Sequence, residues 1–155
     1  MLPYIYHIRK TSSIQESQSE TVVRFSDGTS AILPKTTSGQ PGMRRLLDLS
    51  GDAHSPVAVA VDDQGNITDV AGAERDIVLG VEDKGGTALG VAVWFGKMDG
   101  PMTLPREHPK FQEMVALLAK AAAGNEIVWY ATKGGCVLEA MALTHAEDAA
   151  LCQPA

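Results

Sequence analysis

Four histidines, His7, His54, His108 and His145, and two cysteines, Cys136 and Cys152, are the side chains best suited to bind a metal or move a proton. Their spacing supports neither task. No histidine has another four residues away, as two zinc ligands on one helical turn require, and the cysteines form no CxxC pair. His108 stands where a helix should begin, and His145 falls in a polar tail. Cys136 follows two glycines, but no neighbour in sequence would lower its pKa, so it reads as a small strand residue rather than a nucleophile.

The acidic run from Asp62 to Asp69 invites comparison with a calcium loop. With Gly65 as the turn glycine, Ala60 and Ala71 occupy positions where acidic ligands are required, and no helices flank the run. A hairpin turn accounts for it, since Asp, Asn and Gly all accept the backbone that such a turn needs. Lys84-Gly85-Gly86 and Lys133-Gly134-Gly135 are identical tripeptides that could capture an anion through backbone N–H groups. A phosphate loop continues into a helix, whereas here a strand follows each time, so Gly-rich hairpin turns are the expectation. Glu82 with Asp83, and Asp69 with Glu74, are paired carboxylates in sequence only, and Thr36 to Gly39 lacks a nucleophile-elbow pattern. No metal or cofactor is expected.

Composition narrows the partners. The 155 residues carry a formal net charge of -6, with 13 basic and 19 acidic side chains. The basic residues are scattered and only eight residues are Phe, Trp or Tyr, which supplies neither a phosphate-binding stripe nor a stacking platform for nucleic acid. No apolar run is long enough for a membrane span, and the first ten residues lack the order of a secretory signal, so a cytoplasmic protein is expected.

The elements that must position these side chains are mostly hairpins. Residues 21–33 form one around Asp27-Gly28. Ser55 to Val70 aligns without gaps against Asn125 to Ala140: each is an apolar run, a polar turn ending in glycine (Gly65, Gly135), and a second run. Ile67 and Val70 break strict alternation, which predicts a bulge. Residues 77–82 and 87–95 form the clearest hairpin. One face holds Ile77, Leu79, Val81, Leu89, Val91, Val93 and Phe95. The other holds Val78, Gly80, Ala88, Gly90, Ala92 and Trp94, small groups that should let a backbone or ligand approach and should be covered. Thr11 to Glu20 and Met98 to Glu107 read as loops. Phe111, Met114, Val115, Leu118 and Ala122 recur at helical spacing, giving a main helix over about 109–123, and a shorter one is expected at about 43–49.

The expected fold is therefore α+β: a strongly curved antiparallel sheet or open barrel of about eight strands, in a single domain over residues 1–143 with a flexible tail at 144–155. The expected role is a non-catalytic module that binds an apolar small molecule or assembles as a homodimer. A small enzyme with a pocket between sheet and helix is the alternative. The residues singled out for a ligand site are Gly90, Ala92, Trp94, Trp129 and Tyr130, where aromatic rings and small residues lie on two strands.

Overall fold

The structure is a computed structural model, and it describes residues 5–35, 40–53, 55–83 and 90–143. The tail at 144–155, the turn at 84–86 with Ala88 and Leu89 beyond it, His54, His145 and Cys152, and the Thr36 to Gly39 segment lie outside the described residues. The fold is α+β, with two helices and eleven strands in antiparallel-rich sheets among the described residues. The chain divides into two compact units that meet in sequence between Ala73 and Glu74.

In the first unit, β1 (Tyr6–Arg9) and β2 (Thr11–Glu16) lead into β3 (Glu20–Phe25) and β4 (Ser30–Pro34). Helix α1 (Gln40–Ala53) follows, then β5 (Val57–Val61) and β6 (Ile67–Gly72). The strands form two three-stranded sheets, β1-β5-β6 and β2-β3-β4, with a single parallel bridge between Ile32 and Asn66. Val23, Phe25, Leu33, Leu47, Val59 and Ile67 fill the core. Two readings of the sequence change here. Residues 11–16 form a strand rather than a loop: β2 pairs with β3, and its polarity reflects a face open to water, with only Thr11 buried and Ile14 half-buried. Helix α1 is twice the expected length, because it carries Leu46 and Leu47 inward while Pro41 and Gly42, at its start, are exposed and cost it no packing.

In the second unit, β7 (Glu74–Glu82), β8 (Gly90–Phe95) and β9 (Met102–Pro105) precede helix α2 (Phe111–Gly124) and the hairpin of β10 (Ile127–Lys133) and β11 (Cys136–Leu143). The five strands close into a barrel in the order β10-β11-β9-β8-β7. Met114, Leu118 and Ala121 seat α2 on the core. The helix ends where Asn125 adopts a left-handed backbone and donates its N–H to the Ala121 carbonyl. Met98 to Glu107 is not wholly loop, since β9 pairs with β8 from Met102 to Pro105.

Register makes the two units copies of one plan. Thr11 pairs with Phe25, and Val78 pairs with Phe95; in each case the next residue, Ser12 or Leu79, is left out of the ladder as a bulge. Glu20 faces Pro34 as Gly90 faces Pro105, and Thr21 faces Leu33 as Val91 faces Leu104. Ile32 N–H donates to the Gly65 carbonyl at 2.8 Å, and Thr103 N–H donates to the Gly135 carbonyl at 2.8 Å. Thr68 and Leu138 are bulged at matching points of the last hairpins. The helices share Met43 with Met114, Leu46 with Leu117, and Leu47 with Leu118. Agreement in pairing partners, bulges, bridge and helix identities is the mark of a duplicated β-β-β-α-β-β unit, in which β7 does the work of β1 and β2 together.

The gapless alignment of the hairpins holds only from Gly65 and Gly135 onward. In the first unit, three residues turn between Asp62 and Asn66, with Gly65 at φ 83°. In the second, Gly134 and Gly135 alone turn between Lys133 and Cys136, both with positive φ. The turn is one residue shorter, so the strands before it slip by one: Val57 to Val61 correspond to Val128 to Thr132, and their burial patterns coincide.

The Leu79 bulge also corrects the facing of β7. Val78 is buried, while Ile77 and Leu79 are 42% and 63% exposed. Skipping one residue reverses which side chains enter the core. On β8 the expected face holds, with Val91, Val93 and Phe95 inside.

Candidate functional site

The duplication supplies an internal control for function, because a position that serves only the fold should look alike in both units. One region does not. In the first unit, α1 and β2 flank an open groove of about 320 Å³, lined by Thr11, Ser12, Ser13, Ile14, Arg44, Leu47, Asp48, Gly51 and Asp52. The corresponding residues of the second unit are Val78, Leu79, Gly80, Val81, Val115, Leu118, Ala119, Ala122 and Ala123. Ile14, Leu47 and their counterparts are apolar and face the cores. Everywhere else a hydroxyl, a charge or a glycine in the first unit stands against an apolar residue in the second, except that Ser13 stands against Gly80.

Local structure explains how the lining is presented. Arg44, Asp48 and Asp52 recur at four-residue spacing on α1, so their side chains share one stripe of the helix. Arg44 Nε donates to both oxygens of Asp48 at 3.2 Å, and its Nη1 donates to Glu16 of β2. This hydrogen bond, with the charge of Arg44 beside it, holds the Glu16 carboxyl below the usual carboxylate range. The same bond from Glu16 outweighs burial and raises Arg44 above its ordinary value. Ser12, pushed out of the ladder by its bulge, and Ser13 bring exposed hydroxyls to the opposite wall.

Thr11 is 3% exposed, and its backbone N–H donates to Ser50 Oγ at 3.1 Å. Its own hydroxyl oxygen has no hydrogen-bond partner among the described residues. Buried hydroxyls are normally paired, so this one asks for a reason. Gly51 lies close beside it: a Cβ there would stand 3.7 Å from Thr11 Cγ2, in ordinary contact.

The residues singled out from sequence lie elsewhere, in the second unit. Tyr130 is 1% exposed and stacks on Phe95 with ring centroids 3.8 Å apart and planes 6° apart. Its hydroxyl donates to Glu74 Oε2 at 3.2 Å. Burial, then the charge and hydrogen bond of Glu74 and the charge of Asp76, raise its pKa well above the ordinary phenol value. Trp129, next in the strand, is buried and points to the other side of β10. Ala92 and Trp94 are half-buried on the outer face of β8, and Gly90 is buried against the backbone of Leu104 and Pro105. So β8 and β10 bring Phe95 and Tyr130 together, while Gly90, Ala92 and Trp94 are distributed along β8. None of the five lines the groove.

Two other chemical candidates, His108 and Asp62, are structural here. His108 Nδ1 accepts the Lys110 backbone N–H at 3.0 Å, so the ring proton belongs on Nε2, which meets the Leu138 carbonyl at 2.7 Å. Asp62 Oδ1 accepts the N–H groups of Gln64 and Asn66 at 2.9 Å, as a turn-forming aspartate does. No group of three or more His, Cys, Asp or Glu able to hold a metal occurs among the described residues. Nor is any helix among them long and apolar enough to cross a membrane.

No family model, curated protein or solved structure shows significant similarity to this chain.

Proposed function

We propose that this protein is a non-catalytic small-molecule-binding module, with its ligand held in the groove between α1 and β2 of the first unit. The observation that carries the reading is the contrast between the units: one scaffold, used twice, has polar groups along the groove in one copy and apolar groups at the same positions in the other. A fold needs neither the charges nor the glycine there, since the second unit forms without them. Binding rather than catalysis is favoured by the lining itself. It offers hydroxyls and an ion-paired stripe and no histidine or cysteine, while His108 has both ring nitrogens engaged in the second unit.

Backbone amide NMR with pooled small polar metabolites tests the reading. Expected is a ligand whose saturable shifts cluster at residues 11–14 and 44–52. Shifts confined to α2 and β7, or none from any polar pool, would overturn it.

A further inference from the structure

We propose that the groove selects a small hydroxylated cation, an amino alcohol or amino sugar, whose ammonium group pairs with Asp52. This rests on the reading of the groove as a binding site. The charged groups along it are Arg44, Asp48 and Asp52. The guanidinium is already shared between two carboxylates, Asp48 and Glu16. Asp52, one turn beyond Asp48, has no ion pair or hydrogen bond among the described residues. The groove therefore keeps a surplus negative charge at Asp52, where a cation would be held and an anion repelled.

The hydroxyl half of the specificity comes from the facing wall. Ser12 and Ser13 present exposed hydroxyls to the groove, while the Thr11 hydroxyl is buried beneath the wall and takes no part. A bare metal ion would leave these groups unused, and the groove's few carboxylates do not form a metal-binding cluster. A ligand carrying both an ammonium and neighbouring hydroxyls matches both walls of the groove.

The test is an amide NMR titration of the full chain with ethanolamine, compared with ethylene glycol and sodium acetate at equal ionic strength. Ethanolamine should shift the amides of residues 11–14 and 48–52 saturably, and Asp52→Asn should weaken it roughly tenfold or more, as loss of a charge-assisted hydrogen bond does. Gly51→Ala is the second variant. It removes a helical glycine, so the melting temperature should rise, yet its methyl takes up part of the groove beside Thr11 and should weaken the shifts. If acetate or glycol shifts these amides as strongly as ethanolamine, or Asp52→Asn leaves the affinity unchanged, the ligand class is wrong while the site stands. If no probe shifts them, both fail.

Discussion

His108 Nε2 lies 2.7 Å from the carbonyl oxygen of Leu138, the residue that bulges from the pairing of β11 with β10. A bulge leaves a backbone group without its ladder partner, and this histidine satisfies it from the segment that opens α2. With Nδ1 capping Lys110, one ring ties the helix entry to the last hairpin. Replacing His108 with Ala should cost about 1–3 kcal/mol, the penalty for a buried acceptor left unpaired. Urea unfolding reads this directly, and an unchanged midpoint would deny the ring its structural role.

The duplication turns each unit into a mutagenesis guide for the other. Thr21 is fully buried, and its hydroxyl has no hydrogen-bond partner among the described residues; Val91 fills the matching position. Thr21→Val should stabilise the protein by about 1 kcal/mol, because it removes an unpaired buried hydroxyl at constant shape. The reverse exchange, Val91→Thr, should cost about 1–3 kcal/mol. Equal losses from both would mean that the Thr21 hydroxyl has a partner after all.

Much of the architecture was legible because turn chemistry is local. Gly65 and Gly135 mark their hairpins, and the Thr68 bulge shows as a break in alternation between Ile67 and Val70. The plan of the whole chain was legible only in part. The hairpin match exposed half of the repeat, while the other half lay in Met43, Leu46 and Leu47, which recur 71 positions on as Met114, Leu117 and Leu118. That signal was hidden by the polar residues between the apolar ones of α1, which made it look two turns long. Strand β2 was missed for the same reason: a strand with one face in water and mostly serine, glutamine and glutamate carries little hydrophobic period. The groove was not legible at all, because Arg44, Asp48 and Asp52 each read as ordinary surface charges. They become distinctive only beside Val115, Ala119 and Ala123.

Two glycines of the barrel separate a packing constraint from a permissive site. A Cβ on Gly90 would lie 2.2 Å from the Leu104 carbonyl oxygen, which is rigid backbone of the paired strand. Gly80, on neighbouring β7, has no heavy atom within 4 Å of a Cβ. Gly90→Ala should therefore cost about 3 kcal/mol, at the upper end for overpacking, through displacement of β9. Gly80→Ala should be neutral or slightly stabilising, since it only reduces the freedom of the unfolded chain. Thermal unfolding of the pair checks the difference, and similar melting temperatures would remove Gly90 as a constraint on how β8 meets β9.

Alkaline stability should fall through Tyr130. Burial, with Glu74 and Asp76 nearby, raises this phenol above its ordinary value, so the folded protein keeps a proton that the unfolded chain releases near pH 10. The folded state then binds more protons than the unfolded one, and stability declines as pH rises above that point. Below it the benefit of the neutral phenol, donating to Glu74 at 3.2 Å, is fully present. Tyr130→Phe keeps the stacking on Phe95 but removes the titrating group. The variant should be less stable than the parent at about pH 8, and the gap should narrow by about pH 11, as the parent alone incurs the cost of holding its proton. A stability gap that stays constant across this range would show that Tyr130 ionises alike in the folded and unfolded chains, and the Glu74 contact would then have no part in setting its protonation.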